Sequence, residues 1–285
     1  MYYYVGEVQN QADEDNTTIS IGDEITPEEV ETLNKAFSIT GDYHAIKQIY
    51  DIVVENGLEF KSWMKSERLQ SKRDAGLSSK RLILLSNKLV LNYASSIKTF
   101  LDMTQRLLKH RKPESVKDFL ALTNEFYDDH LEYRFWANFR NYVVHCSFPY
   151  SIFHEAVGSN CEVRCSKKHL LKFDNWKHSK ADIEQMPEYV DLPGMVDRMN
   201  SLIYALYLQF FYYVASDAFS GYNTYQEFLK KYSVYCPVIF KTEQPISREE
   251  GFVVPSMQPL PIKEMMDVFN TMNQHPSINI KITQL

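Results

Sequence analysis

The sequence predicts a mainly α protein, an antiparallel helical bundle with small β elements after Pro149 and near the termini. Three observations predict it. Glycine (9) and proline (11) are few among 285 residues, which disfavours a turn-dense β sandwich. Apolar residues recur at spacings of three and four over long stretches, the period of a helix. Hydrophobic residues make up 44% of the chain and aromatics 14%, enough to build a substantial core and exclude wholesale disorder.

Three segments follow: an acidic N-terminal extension over 1–75, a helical bundle with an inserted β-hairpin over 76–235, and a mixed C-terminal extension over 236–285. In the first, Met1 to Ile25 reads as irregular or β-like, with Tyr2–Val5 and Thr18–Ile21 able to pair as strands across the polar stretch Gln9–Asn16. Thr26-Pro27-Glu28-Glu29 is a helix start: Thr26 caps, Pro27 suits the first helical position, and the glutamates suit the dipole and the capping box. That helix is expected to end near Gly41, and a second to run from about Asp42 to a C-cap at Asn56-Gly57. Lys61 to Arg81 is strongly basic, either a solvated charged helix or a phosphate-binding surface.

Leu77 to Lys112 reads as one long helix. Leu82, Leu85, Leu89, Tyr93, Ile97, Phe100, Met103 and Leu107 form its apolar stripe. Pro113 stops it, and a second long helix is expected from Glu114 to Cys146, completing an αα-hairpin. Ser151–Val157 and Cys161–Cys165 flank Gly158-Ser159-Asn160 as a β-hairpin. A further helix is expected over Pro193–Phe219, ended by Ser220-Gly221, with a shorter one over Tyr225–Tyr235. In the tail, Ile262–Met272 reads as a helix and Ile278–Ile282 as a strand.

The net charge is −6, but residues 1–60 hold 13 acidic and two basic side chains, leaving the rest about +5. The acidic balance argues against a general nucleic-acid coat protein, yet permits a basic site later in the chain. Four cysteines without scaffold-like spacing, and no secretory or lipidation motif, lead to the expectation of a cytoplasmic protein with free thiols. The most apolar run, Leu202–Ala215, is shorter than the roughly 20 residues of a spanning helix, so no membrane association is expected. Walker, dinucleotide, G-x-S-x-G and H-E-x-x-H motifs are lacking. Cys161 and Cys165 with Cys146, His145 or His154 make a poor zinc set because the usual Cys-x2-Cys pair is missing, so no metal and no cofactor are expected.

The chemistry concentrates at Arg140-Asn141-Tyr142-Val143-Val144-His145. Arg134, Asn138, Asn141 and His145 fall at i, i+4, i+7 and i+11, one polar stripe beside the apolar Phe135, Phe139, Tyr142 and Cys146. Arg140 lies about 140° around the helix from His145, so a single ideal helix does not bring the two together. Either the helix distorts before Pro149 or a second chain completes the site.

Arg140–His145 resembles the Arg-x4–6-His motif of the HEPN superfamily, in which a polar residue, often Asn, follows the arginine. The resemblance covers about Leu77 to Tyr235. It implies a HEPN-like bundle, a homodimer with two motifs facing across a two-fold axis, and a metal-independent endoribonuclease of bacterial defence or toxin type. It implies catalytic roles for His145 in proton transfer, Arg140 in stabilising phosphate charge, and Asn141 in orientation. Arg134 and Asn138, with Lys109 and Arg111 on the preceding helix, are the expected RNA-binding residues. Partners would be RNA, a second copy and an antitoxin or defence component. Ser147 stands where toxins controlled by nucleotidylation often carry tyrosine, which puts that control in doubt. The alternative expectation is a non-catalytic helical module that binds RNA, a nucleotide or a partner protein.

Overall fold

The computed structural model describes residues 1–10, 17–156, 160–246 and 256–280. The chain is mainly helical with small antiparallel sheets. Strands β1 (Tyr2–Asn10) and β2 (Thr17–Ile25) lead into α1 (Pro27–Ala36), α2 (Ser38–Trp63), α3 (Ser66–Asp74) and α4 (Ser79–Arg111). After a 3-10 turn at Pro113–Ser115 come α5 (Val116–Asp129) and α6 (Leu131–His145), then the hairpin β3 (Tyr150–His154) and β4 (Glu162–Cys165). Short helices α7 (Lys167–Leu170) and α8 (Ser179–Gln185) precede α9 (Val196–Tyr232). Strands β5 (Pro237–Thr242) and β6 (Ser256–Pro259) and helix α10 (Ile262–Met272) end the described chain.

The helix starts follow local chemistry. The Thr26 hydroxyl accepts from Glu29 N–H while the Glu29 carboxylate accepts from Thr26 N–H at 2.9 Å, a complete capping box. At the start of α4 the Ser78 hydroxyl accepts from Arg81 N–H, a one-sided cap, after Gly76 turns the chain at a φ of +92°.

Several boundaries differ from the sequence reading. Gly41 and Gly57 lie inside α2, and Gly221 lies inside one continuous α9 that replaces the two helices expected between Pro193 and Tyr235. At Gly57 and Gly221 the reason is packing. A Cβ on Gly221 would stand 2.2 Å from the Ala36 carbonyl oxygen, so this glycine lets α9 touch the end of α1. The helix expected from Glu114 to Cys146 breaks at His130, whose backbone is extended (φ −122°, ψ 116°). Residues 278–280 form no strand, and 281–282 of the expected Ile278–Ile282 strand lie outside the described residues.

The chain divides into two compact units, Met1–His44 with Phe211–Leu285, and Ala45–Phe210. The segments 1–75 and 76–235 are thus each shared between units, because the unit boundaries fall within α2 and α9.

In the first unit the sheet order is β2-β1-β5-β6, all antiparallel. The two ends of the chain therefore form one sheet, over a small core of Tyr4, Val238 and Phe240 with Ile21 and Ile246. Glu29 also accepts from Lys231 Nζ and from the Tyr232 hydroxyl at 2.7 Å, tying α1 to the end of α9. The Lys231 bond comes first among the causes that hold the Glu29 carboxyl down to about 2 from its ordinary 4.5, against the opposing effect of burial. A carboxylate with a depressed folded pKa contributes stability fully present above 4.5 and lost as pH falls towards about 2. Glu29→Gln should therefore flatten the fall in urea midpoint between pH 5 and pH 2. Parallel pH curves for variant and wild type would remove this account.

In the second unit α4 and α6 run antiparallel. Tyr93 meets Trp136 with ring centroids 4.9 Å apart, while Asn87, earlier in α4, holds the backbone of Tyr150, later in the chain, by two hydrogen bonds of 2.8 and 3.0 Å. Phe60 of α2 packs on both Trp136 and Tyr150. The opposite flank of α6 is built on Trp176, which stacks against Phe135 and Tyr142 and donates its indole N–H to the Leu170 carbonyl. Among the described residues no helix is long and apolar enough to cross a membrane.

Candidate active site

Helix α6 presents two kinds of surface. Tyr133, Phe135, Trp136, Asn138, Phe139 and Tyr142 are buried. Arg140, Asn141, Val144 and His145 are exposed, followed by exposed Cys146 and Phe148. Among the described residues the side chains of Arg140, Asn141 and His145 make no hydrogen bond or ion pair within the chain. An arginine, an amide and an imidazole thus stand together at a helix end with their donors and acceptors in water. The neighbouring apolar surface is large, with Val144 57% and Phe148 53% exposed.

The helix stays regular to its last residue. Cys146 N–H donates to the Tyr142 carbonyl at 2.8 Å, and Ser147 N–H to the same oxygen at 3.3 Å. No distortion swings Arg140 towards His145. Asn141 and His145 share one face, and Arg140 and Val144 share the next. A distorted helix end, one of the two routes to a convergent site, is thus not seen in the structure.

Arg134 and Asn138, placed on the same stripe by the sequence, serve the scaffold. Arg134 Nε donates to Asp182 of α8 at 2.8 Å, and its Nη1 donates to the carbonyls of Tyr127 and Asp128 at 2.7 and 2.8 Å. The guanidinium therefore caps the last turn of α5, whose carbonyls have no helical partner, and stabilises the break at His130. The hydrogen bond that Arg134 donates to Asp182 raises the guanidinium pKa above its ordinary value. Asn138 is 4% exposed, and its amide lies 3.1 Å from the Tyr127 hydroxyl and 3.2 Å from the Ser179 hydroxyl. Arg134→Ala strands Asp182 and two carbonyls, and should destabilise the protein by about 2–4 kcal/mol in urea unfolding. An unchanged midpoint with weakened RNA binding would return Arg134 to the substrate.

Lys109 and Arg111 lie at the far end of the unit. Since Tyr93 is level with Trp136 and the helices are antiparallel, Arg111 and His145 are separated by about 40 Å along the helix axes. They do not join the Arg140–His145 cluster. Cys161 and Cys165 are both buried, and burial pushes the Cys165 thiol up to about 12. Among the described residues no group of three or more His, Cys, Asp or Glu could hold a metal ion.

Sequence reasoning passed over a cavity of about 630 Å³ beside the hairpin. Segment 188–190 runs along β4: Val190 N–H donates to the Cys165 carbonyl, and Lys167 N–H to the Glu188 carbonyl. This pairing places Tyr189 and Asp191 opposite Glu162 and Arg164, with Ser66 and Leu69 of α3 on another wall. The only local sign of the cavity was the hairpin itself, because its second wall comes from a segment over twenty residues away. The chain matches no family model, and neither a curated protein nor a solved structure matches it.

Proposed function

We propose that this chain is a metal-independent endoribonuclease of the HEPN type, acting as a homodimer with a composite active site. The observation that supports it is the exposure of unpaired Arg140, Asn141 and His145 at the end of an otherwise buried, regular helix. These three side chains have no partner within the chain, and their residue types suit phosphate chemistry. The arginine fork matches phosphate oxygens. Histidine exchanges protons near neutral pH.

RNA carries its own nucleophile, so no metal-bound water is required. His145 takes the proton from the 2′-hydroxyl as that oxygen attacks the adjacent phosphorus. The bond to the 5′-oxygen breaks, and that oxygen leaves with a proton. Arg140 stabilises charge on the non-bridging oxygens, and Asn141 orients the phosphate or the imidazole. The products are a 2′,3′-cyclic phosphate and a 5′-hydroxyl. A toxin or antiviral-defence setting, with an antitoxin or sensor as partner, follows from the same HEPN reading.

The test is incubation with total RNA in EDTA. Wild type should cleave, and Arg140→Ala and His145→Ala should each lose at least about a hundredfold in rate with unchanged folding. Full activity in His145→Ala would overturn the catalytic assignment. Binding without cleavage by the wild type would favour a non-catalytic RNA-binding module.

A further inference from the structure

The geometry points to the cavity beside the hairpin as a guanine pocket that reads one base of the RNA, a step that rests on the ribonuclease reading for its biological role. Three formally charged side chains line the cavity: Arg164, Glu162 and Asp191. Their sum is one negative charge, which disfavours a phosphate inside and favours a neutral group. The remaining walls are apolar or aromatic, including Met64, Leu69, Val163, Val190 and Tyr189.

The polar groups are fixed in place. Glu162 and Arg164 lie two residues apart on β4, hence on one face. Arg164 Nε donates to Glu162 at 2.8 Å, and the guanidinium lies over the Tyr189 ring at 4.7 Å. Its Glu162 bond, the largest cause, raises the Arg164 pKa above its ordinary value. Glu162 takes the Nε–H of Arg164 and the Tyr189 side chain also engages the guanidinium, which leaves the remaining N–H groups of the fork for a ligand. Asp191 Oδ1 accepts from Gly194 N–H at 3.0 Å, which orients the carboxylate and leaves Oδ2. The wall also holds Tyr150, whose hydroxyl is buried and without a hydrogen-bond partner. Burial, with Cys165 and Asp191 adding to it, raises the pKa of that phenol well above its usual value, so it stays a donor.

A ligand that satisfies this set is planar and neutral. It offers paired acceptors to a guanidinium and paired donors to a carboxylate. Guanine does both: O6 and N7 accept from an arginine fork, and N1–H with the 2-amino group donate to a carboxylate. Adenine lacks the carbonyl and the N1 donor, and uracil lacks the amino group. Tyr150 follows His145 by five residues, a reach of at most about 17 Å, so one short oligonucleotide spans both the pocket and Arg140–His145.

The experiment is equilibrium binding of nucleoside 5′-monophosphates to the full chain, with cleavage mapping as a second arm. Guanosine monophosphate should bind at least about tenfold more tightly than the adenosine, cytidine and uridine forms. Inosine monophosphate, which lacks the 2-amino group, should lose most of that advantage, and Asp191→Asn should abolish the guanosine-over-inosine preference. The 7-deazaguanosine form should bind more weakly to wild type and equally to Arg164→Ala. Circular dichroism and thermal midpoints of both variants should match wild type. Equal binding of all four bases, or no binding, overturns the pocket even if RNA is cleaved. Guanine preference without cleavage leaves the pocket standing while the ribonuclease reading falls. Where both hold, Asp191→Asn should broaden the bases found beside the cut sites.

Discussion

Mixing Arg140→Ala and His145→Ala chains, each inactive alone, restores about a quarter of wild-type cleavage. The expectation follows from the regular end of α6. Arg140 and His145 diverge by about 140° on a helix that remains hydrogen-bonded through Cys146. Each active site must then take its arginine from one chain and its histidine from the other. Random pairing makes half of the dimers mixed. In a mixed dimer one site has lost both groups and the other has kept both, so a quarter of all sites are intact. The measurement is cleavage of a fluorescent oligoribonucleotide after the two variants are co-refolded or co-expressed. Absence of recovery would show that one chain supplies both groups. A monomer by sedimentation, with full wild-type activity, would overturn the composite site altogether. Val144→Asp offers an independent control: a charge on this 57%-exposed position should weaken an isologous interface without touching the buried side of α6.

What the sequence could and could not reveal follows from the range of the interactions involved. Capping at Thr26, the β1–β2 pair, the long α4 and the β3–β4 hairpin all rest on residues close in the chain, and each was legible. The pairing of β1 with β5 joins Tyr2–Glu7 to Pro237–Thr242, and no local pattern announces it. Glycine misled for a related reason. Gly57 and Gly221 read locally as helix ends, yet a Cβ at Gly57 would stand 2.8 Å from Tyr93 and one at Gly221 2.2 Å from Ala36. Both are glycine because another element comes close, which periodicity does not register. The polar stripe on α6 was legible as a stripe. Its division into scaffold (Arg134, Asn138) and exposed cluster (Asn141, His145) depends on Asp182 and Ser179, more than forty residues later. The cavity beside the hairpin was hidden for the same reason, since Asp191 and Arg164 line one cavity only once segment 188–190 lies along β4.

Trp136→Ala should cost about 3–5 kcal/mol, the largest single loss of stability expected in the unit that carries the cluster. Trp136 is 1% exposed and sits where α2, α4 and α6 meet. Its ring lies 4.9 Å from Tyr93, 5.0 Å from Phe139, 5.6 Å from Phe135 and 6.5 Å from Phe60, mostly edge to face. Truncation to alanine removes these contacts together and leaves a cavity between helices that cannot collapse without moving α6. Against a typical total stability of about 5–15 kcal/mol, that loss would leave a large unfolded population at 37 °C. The indole N–H adds a second expectation. It is buried with no hydrogen-bond partner, so it contributes nothing that a benzene ring would lose. Trp136→Phe should therefore cost only about 1–2 kcal/mol, the volume difference alone. Urea unfolding of both variants decides the matter, and equal losses would show that the N–H does find a partner. Cleavage by Trp136→Phe, assayed well below its midpoint, should match wild type, because Arg140 and His145 are exposed and lie one turn or more beyond Trp136 on the same helix.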